Sequence, residues 1–293
     1  GEGFPLLLFA PGGMRSSIAH WEQSPWNPIA ELTGDFRVIA MDQRNAGRSR
    51  APVAAADGWH VYTADHLALL DHLGIERCHL LGGCIGGPYC FGVMQAAPER
   101  VAAAVLQQPI GSSGDNREAF YQMFDGWAAD LEKSHPEVTE AALRSFRSNM
   151  YDGDFVFNVS RDFVRGCRIP MLVLLGNDLY HPSETSREIV QLAPDAELVE
   201  RWKEPEVVAD AVQRVREFLR RHTPYSPSRS RAASYSLRSW EQKTCTSSPC
   251  FCTSRRSSSW VRSLVASSTT ANRWKRASAQ GRLGSTCISA WWK

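Results

Sequence analysis

The stretch Leu80–Pro88, LLGGCIGGP, sets a cysteine among four glycines, directly after one apolar run and directly before a segment that suits a helix. Few folds ask for this pattern. A chain that leaves a strand and enters a helix within so few residues brings two backbones together, and any bulk at the flanking positions would collide. Such a turn strains the backbone of its central residue and lets that residue point out of the sheet. The spacing G-x-C-x-G across Gly82, Cys84 and Gly86 therefore predicts a strand–elbow–helix unit with Cys84 at its apex. A plain packing role for a small buried cysteine is the competing reading.

The rest of residues 1–224 alternates short apolar runs with helical patterns. PLLLFAPGG, FRVIAMDQRNAGRS, RCHLLGG, VAAAVLQQP and IPMLVLLGND read as buried strands. Runs that are apolar throughout suit a mostly parallel sheet covered by helices on both faces, an α/β class. In ADHLALLDHLGI, Leu67, Leu70 and Leu73 share one side of a helix. Between about residues 113 and 167 the alternation gives way to a helical insert with the placement of a lid. There Phe120, Phe124, Trp127 and Leu131 recur at helical spacing and seat the insert on the core, and a second helix uses Val138, Ala142 and Phe146. Pro205–His222 reads as a last helix, with Pro205 in its first turn and Val208, Val212, Val215 and Leu219 on one face.

With the elbow quoted, residues 3 to 222 resemble the α/β-hydrolase family. MDQRNAGRS is similar to the family's turn after an early strand, FAPGGM to the loop that supplies an oxyanion-hole amide, and GNDLYHP to the loop that bears the catalytic acid. The resemblance implies the α/β-hydrolase fold, with two antiparallel strands normally preceding GEGFP and here truncated. It also implies nucleophilic acyl transfer through Cys84. The oxyanion hole would be formed by the N–H of Ile85 paired with that of Gly13 or Met14, and Asp178 would be the acid. A helix N-terminus stabilises an anion, which favours the attacking thiolate at such a turn.

The family normally carries its base histidine on a loop after the last strand. In this chain that stretch is AELVERWKEPEVV, where Trp202 and a surface-type Lys203 stand instead. Of the eight histidines, His66 and His72 fall on the helix before the elbow strand, His79 falls within that strand, and His222 sits at a helix end, where a cation suits the dipole. His20 follows the first glycine loop and can approach the pocket. His181, three residues past Asp178, is the stronger candidate for base and acid, although His181-Pro182 can equally serve to shape the turn.

Composition narrows the field further. The apolar fraction of 43% is enough for a core. No stretch reaches the roughly 18 apolar residues of a membrane helix, no signal-peptide layout opens the chain, and a cytoplasmic location follows as the default. Residues 1–224 hold 21 Lys/Arg against 30 Asp/Glu, whereas residues 225–293 hold 12 against one acid, Glu241. That basic Ser/Arg-rich segment has two readings. It is a disordered tail that touches nucleic acid, or it is a shifted reading frame, which fits its scattered Trp and Cys better. Cys78, Cys90 and Cys167 read as packing residues, and the cysteine spacings suit no metal site or disulfide framework. No cofactor is expected, since no dinucleotide glycine pattern follows the first strand.

The expectation is thus a hydrolase of small-molecule esters, thioesters or lactones, with Cys84, Asp178 and His181 at its centre. The alternative is a non-catalytic ligand-binding protein on the same scaffold.

Overall fold

Six apolar runs pair into one sheet in the computed structural model, which describes residues 1–114 and 116–224. The basic segment 225–293 lies outside the described residues. The strands are β1 (Phe4–Phe9), β2 (Phe36–Ala40), β3 (Cys78–Gly83), β4 (Val101–Gln107), β5 (Met171–Leu174) and β6 (Ala196–Val199). They lie in the order β2-β1-β3-β4-β5-β6, and every pairing is parallel. Parallel neighbours need crossovers, and helices α1 (Pro28–Leu32), α2 (Trp59–His72), α3 (Gly86–Ala96), α4 (Arg117–Leu131), α5 (Glu140–Tyr151), α6 (Arg161–Gly166) and α7 (Ser183–Leu192) occupy the connections; α8 (Val208–Arg221) follows β6.

Alternate residues of each strand enter different cores, which is why the runs are apolar throughout. Leu7, Phe9, Leu80, Leu106, Met171 and Val173 join the cluster that holds the buried side chains of α2 to α5. Leu6, Leu8, Leu81, Val105, Leu172 and Leu174 join a second cluster with Val212, Val215, Phe218 and Leu219 of α8. Burial on both faces matches the sheet class read from the sequence.

Several local expectations shift. The buried face of α2 is Trp59, Tyr62, His66 and Leu70, whereas Leu67 and Leu73 are only partly buried. His66 takes a core position because it is held neutral: burial pushes its imidazole down to about 3, and Nε2 donates to Gln43 Oε1 at 2.7 Å. In α5 the Thr139 side chain caps the helix by accepting from Ala142 N. Val138 therefore precedes the helix, and the inward face becomes Leu143, Phe146 and Met150. Pro205 sits in a turn before α8, whose start is fixed by Glu204 O accepting from both Val207 N and Val208 N. His222 does not act as a terminal cation, because burial and the neighbouring Arg221 charge lower its pKa. The edge strand β6 was not anticipated, being four residues long and half-buried, with Glu197 paired to Arg214 and Arg221.

The elbow depends on close backbone approaches. A Cβ on Gly86 would lie 2.5 Å from Phe9 O, and one on Gly82 would lie 2.1 Å from Gly86 O. Gly126, inside α4, has open space at the same position. We therefore expect opposite effects from one substitution at the two sites. Gly86→Ala should destabilise by about 1–3 kcal/mol through overpacking, lowering Tm by roughly 2–10 °C, while Gly126→Ala should stabilise by about 0.5–1 kcal/mol. Thermal denaturation of the two variants checks the sign of each.

Candidate active site

Cys84 occupies the apex predicted for it. Its backbone is left-handed, with φ 59°, a conformation that costs roughly 1–2 kcal/mol for a residue bearing a Cβ. Three hydrogen bonds hold it there: Cys84 N donates to Gln107 O at 3.0 Å, and Cys84 O accepts from Gly87 N at 3.0 Å and from Ile110 N at 3.3 Å. The side chain is 1% exposed. Ile85 is the N-cap of α3, so its N–H belongs to the turn whose amides have no acceptor within the helix.

The loop after β1 is brought to the elbow by side-chain contact, since a Cβ on Gly83 would meet the Trp21 ring at 3.2 Å and Pro11 Cδ at 3.4 Å. Gly12 and Gly13 of that loop have φ 116° and 56°, followed by a short 3-10 turn over Gly13–Arg15. Met14 is buried in the same cluster as Cys84 and Ile85. Three anchors fix the loop: Ile18 N donates to Asp42 Oδ1 at 2.9 Å, Gln43 N to Ser16 O at 3.0 Å, and Arg15 to Gly126 O and Asp130 of α4 at 2.6 Å each. The turn MDQRNAGRS thus serves to hold the glycine loop. His20 does not reach Cys84. Its ring packs against Gly12, its Nδ1 lies 3.0 Å from Ser17 Oγ, and it lines a cleft of about 350 Å³ with Asn45, Trp127 and His135.

Asp178 and His181 close a four-residue loop after β5. Asp178 N donates to His181 O at 3.3 Å and His181 N to Asp178 O at 3.1 Å. The Asp178 carboxylate also accepts from the backbone N–H of Tyr180 and of His181, and His181 Nδ1 donates to it at 2.7 and 2.9 Å. The imidazole is 1% exposed, and the Cys84 sulfur acts on it through both charge and a hydrogen bond. Cys84, His181 and Asp178 are therefore brought together in that order.

Electrostatics favour the protonated form of the imidazole. Burial alone would lower the His181 pKa, but the influence of Cys84 and the hydrogen bond and charge of Asp178 together raise it to about 9. Burial pushes the Asp178 carboxyl up, yet the hydrogen bond and charge of His181 and two backbone amides bring it below its ordinary value. Cys78, Cys90 and Cys167 are also buried, without such partners, and burial pushes each thiol up, Cys78 to about 12.

Two residues at this end of the sheet escaped the sequence reading. Gln108, fully buried with φ 39°, has its amide within 3.4 Å of both His181 Nδ1 and Lys203 Nζ. Lys203 is not a solvated surface charge: it is half-buried, donates to Asn177 Oδ1 and feels the Asp178 charge, and burial lowers its pKa. The stretch where the resemblance would put a histidine thus brings an ammonium beside the acid loop, with Trp202 buried under it and donating to Leu175 O at 2.8 Å. The signal for Gln108 was present in the sequence, as a polar Gln-Gln-Pro at the carboxyl end of an apolar strand, where α/β sheets place their ligands.

The comparisons with known proteins agree with this architecture. A family model described as alpha/beta hydrolase fold matches residues 5–158. An uncharacterized carboxylesterase of Bacillus subtilis is 24% identical over 223 residues, 67% of this chain and 71% of that protein. A 2-hydroxymuconate semialdehyde hydrolase of a Pseudomonas strain is 33% identical over 115 residues, 39% of this chain. For that protein and other curated relatives the match spans 38% of the relative's own length. Among solved structures, the enol-lactonase of Burkholderia xenovorans superposes with a TM-score of 0.55 at 22% identity, covering 75% of this chain and 92% of that one. Among the described residues no helix is long and apolar enough to cross a membrane.

The raised His181 pKa has a measurable consequence. A group raised from 6.5 to about 9 on folding contributes stability fully below pH 6.5 and loses it as pH rises through about 9. The Tm difference between the wild-type chain and His181→Gln should therefore shrink between pH 6.5 and 9, read by thermal denaturation across that range.

Proposed function

Because this chain belongs to the α/β-hydrolase family, we propose that it is a hydrolase of small-molecule esters, thioesters or lactones that uses Cys84 as nucleophile, His181 as acid and base, and Asp178 to orient and charge-stabilise His181. The observation that carries this reading is the succession of the elbow cysteine, a buried imidazole on which its sulfur acts, and a carboxylate that accepts from that imidazole. The relatives' names point the same way: a carboxylesterase and a semialdehyde hydrolase in sequence, an enol-lactonase in structure.

The chemistry follows from charges. Cys84 Sγ, as thiolate, forms a bond to the acyl carbon, and the carbonyl electron pair moves to oxygen, where the N–H groups of Ile85 and of Gly13 or Met14 receive it. When the tetrahedral intermediate collapses, the bond to the leaving group breaks and His181 delivers its proton there. Acylation removes the Cys84 charge and hydrogen bond, two of the influences that hold the imidazole proton. The proton therefore becomes easier to release as the leaving group needs it. Neutral His181 then takes a proton from water, hydroxide attacks the thioester, and the C–S bond breaks to restore the thiolate–imidazolium pair. Asp178 stabilises the imidazolium in both steps, at a distance of 2.7 Å.

One feature favours the second reading, a binder on the same scaffold: the stretch AELVERWKEPEVV, where the family normally carries its base histidine, holds none. The two readings separate in one experiment. The full chain is mixed with p-nitrophenyl acetate and an acyl thioester, and product release and intact mass are followed together. The hydrolase reading expects an acyl adduct that is lost in Cys84→Ala, and turnover lower by about 10²–10⁴-fold in His181→Ala. A folded chain that forms no adduct with any of several acyl donors is a binder.

A further inference from the structure

Three helices bring aromatic side chains together beside Cys84. Trp59 and Tyr62 come from α2, Tyr89 from α3, and Tyr151 from the end of α5. The Tyr62 and Tyr89 rings stack at 5.1 Å, and Trp59 meets Tyr89 and Tyr151 edge-on at 5.7 and 6.2 Å. The Cys84 charge acts on both the Tyr89 and Tyr151 hydroxyls, and Tyr62 acts on both as well.

The polar atoms of this group are treated unequally. Trp59 Nε1 donates to Met150 O at 2.7 Å. The hydroxyls of Tyr62, Tyr89 and Tyr151, on side chains no more than 1% exposed, have no hydrogen-bond partner among the described residues. Buried polar groups are hydrogen-bonded in the great majority of cases, because an unmet donor loses its hydration for nothing. Phenylalanine would fill the same three volumes without that cost. Three such hydroxyls in one place, next to the nucleophile, call for a ligand oxygen.

The charges around them select its kind. Burial pushes all three phenols up, so at neutral pH they are protonated and can donate. The charged groups that act on Tyr62 are Arg44, Asp57 and Asp65, and Arg44 is held by Asp65 through two bonds of 2.9 Å. Asp65 and Cys84 act on Tyr89, and Cys84 acts on Tyr151. The Arg44 cation is already matched by Asp65, and Asp57 is a further anion near Tyr62. A carboxylate entering here would meet no unmatched cation among these groups, whereas an uncharged carbonyl needs none.

We propose that Tyr62, Tyr89 and Tyr151 form the acyl-recognition end of the Cys84 site and select acyl chains that carry a neutral acceptor oxygen, a keto or second ester carbonyl, a few bonds from the scissile carbonyl. This rests on the reading of Cys84 as nucleophile. It makes the three tyrosines specificity residues: they grip the part of the acyl group that does not react, so that the scissile carbonyl is held at the sulfur.

The test uses three p-nitrophenyl esters of one shape: 4-oxopentanoate, 4-methylpentanoate and the succinate monoester. The second puts a methyl group where the first has its keto oxygen, and the third keeps that carbonyl and puts a charged oxygen where the first has its terminal methyl. The full chain should favour the keto ester in kcat/KM by on the order of 10²-fold over the other two, as a site built to bond an oxygen does. The keto-to-methyl ratio should collapse toward one across Tyr62→Phe, Tyr89→Phe, Tyr151→Phe and the triple variant. A second arm needs no turnover: calorimetric binding of 4-oxopentanamide and 4-methylpentanamide to Cys84→Ala, where the keto amide should bind more tightly and lose that advantage in the tyrosine variants. Turnover without keto preference, a preference for the succinate ester, or a preference kept by the triple variant overturns the recognition role and leaves the nucleophile in place. Keto-selective binding to Cys84→Ala without any turnover by the parent chain overturns the nucleophile and keeps the recognition role. Absence of both removes both.

Discussion

The site is built around one steric constraint, the approach of α3 to the end of β1. With Phe9 O where a Gly86 Cβ would stand, no side chain fits between strand and helix. The turn joining β3 to α3 must then be short, and a short turn forces Cys84 into the left-handed region that residues with a Cβ avoid. The same approach leaves the first amides of α3 beside that residue and draws the loop after β1 over it. Strain at one residue is accepted because backbone bonds from β4 and α3 fix it on both sides. The glycines of the elbow are therefore consequences of helix–sheet distance, and the apex of the turn, where the proposed nucleophile stands, is a by-product of how tightly two elements pack.

In the proposed mechanism the acid and the base share one loop. Asp178 and His181 close a ring of hydrogen bonds through their own backbone, so the imidazole is oriented before anything else in the site is considered. Lys203 and Gln108 then bracket that loop from the next strand connections. His181 and two backbone amides hold the Asp178 carboxyl below its ordinary value, and the carboxylate in turn favours the protonated imidazole. In the proposed mechanism, that proton is what the leaving group takes.

The fold was legible because its signals are local and redundant. Apolar runs without alternation mark strands buried on both faces, and the glycine spacing around Cys84 marks a turn that geometry alone requires. Legibility failed where a polar residue does a core residue's work. His66 takes a core position on α2, where desolvation makes it neutral and its Nε2 bonds Gln43. The inward faces of α2 and α5 depart from the leucine and valine spacing for related reasons: aromatics fill the first, and the Thr139 cap sets the start of the second. Strand β6 was missed because an edge strand need be neither long nor apolar. At the site, Asp178 and His181 were readable by proximity in sequence. The partners that approach from elsewhere, Gln108, Lys203 and Tyr151, depend on tertiary packing that no spacing encodes.

The four-residue ring has an implication for how such a chain can vary. In the proposed reaction every reacting group lies at or before residue 181, and the later part of the domain supplies an edge strand, a covering helix and one supporting cation. Orientation of the imidazole is settled within its own loop rather than by the distance between two separate strand ends. Substitution and length change after α7 are thereby decoupled from the alignment of the reacting atoms. Sequence drift along the outer margin of the sheet can alter durability without retuning the chemistry, so the two properties are free to evolve on different schedules.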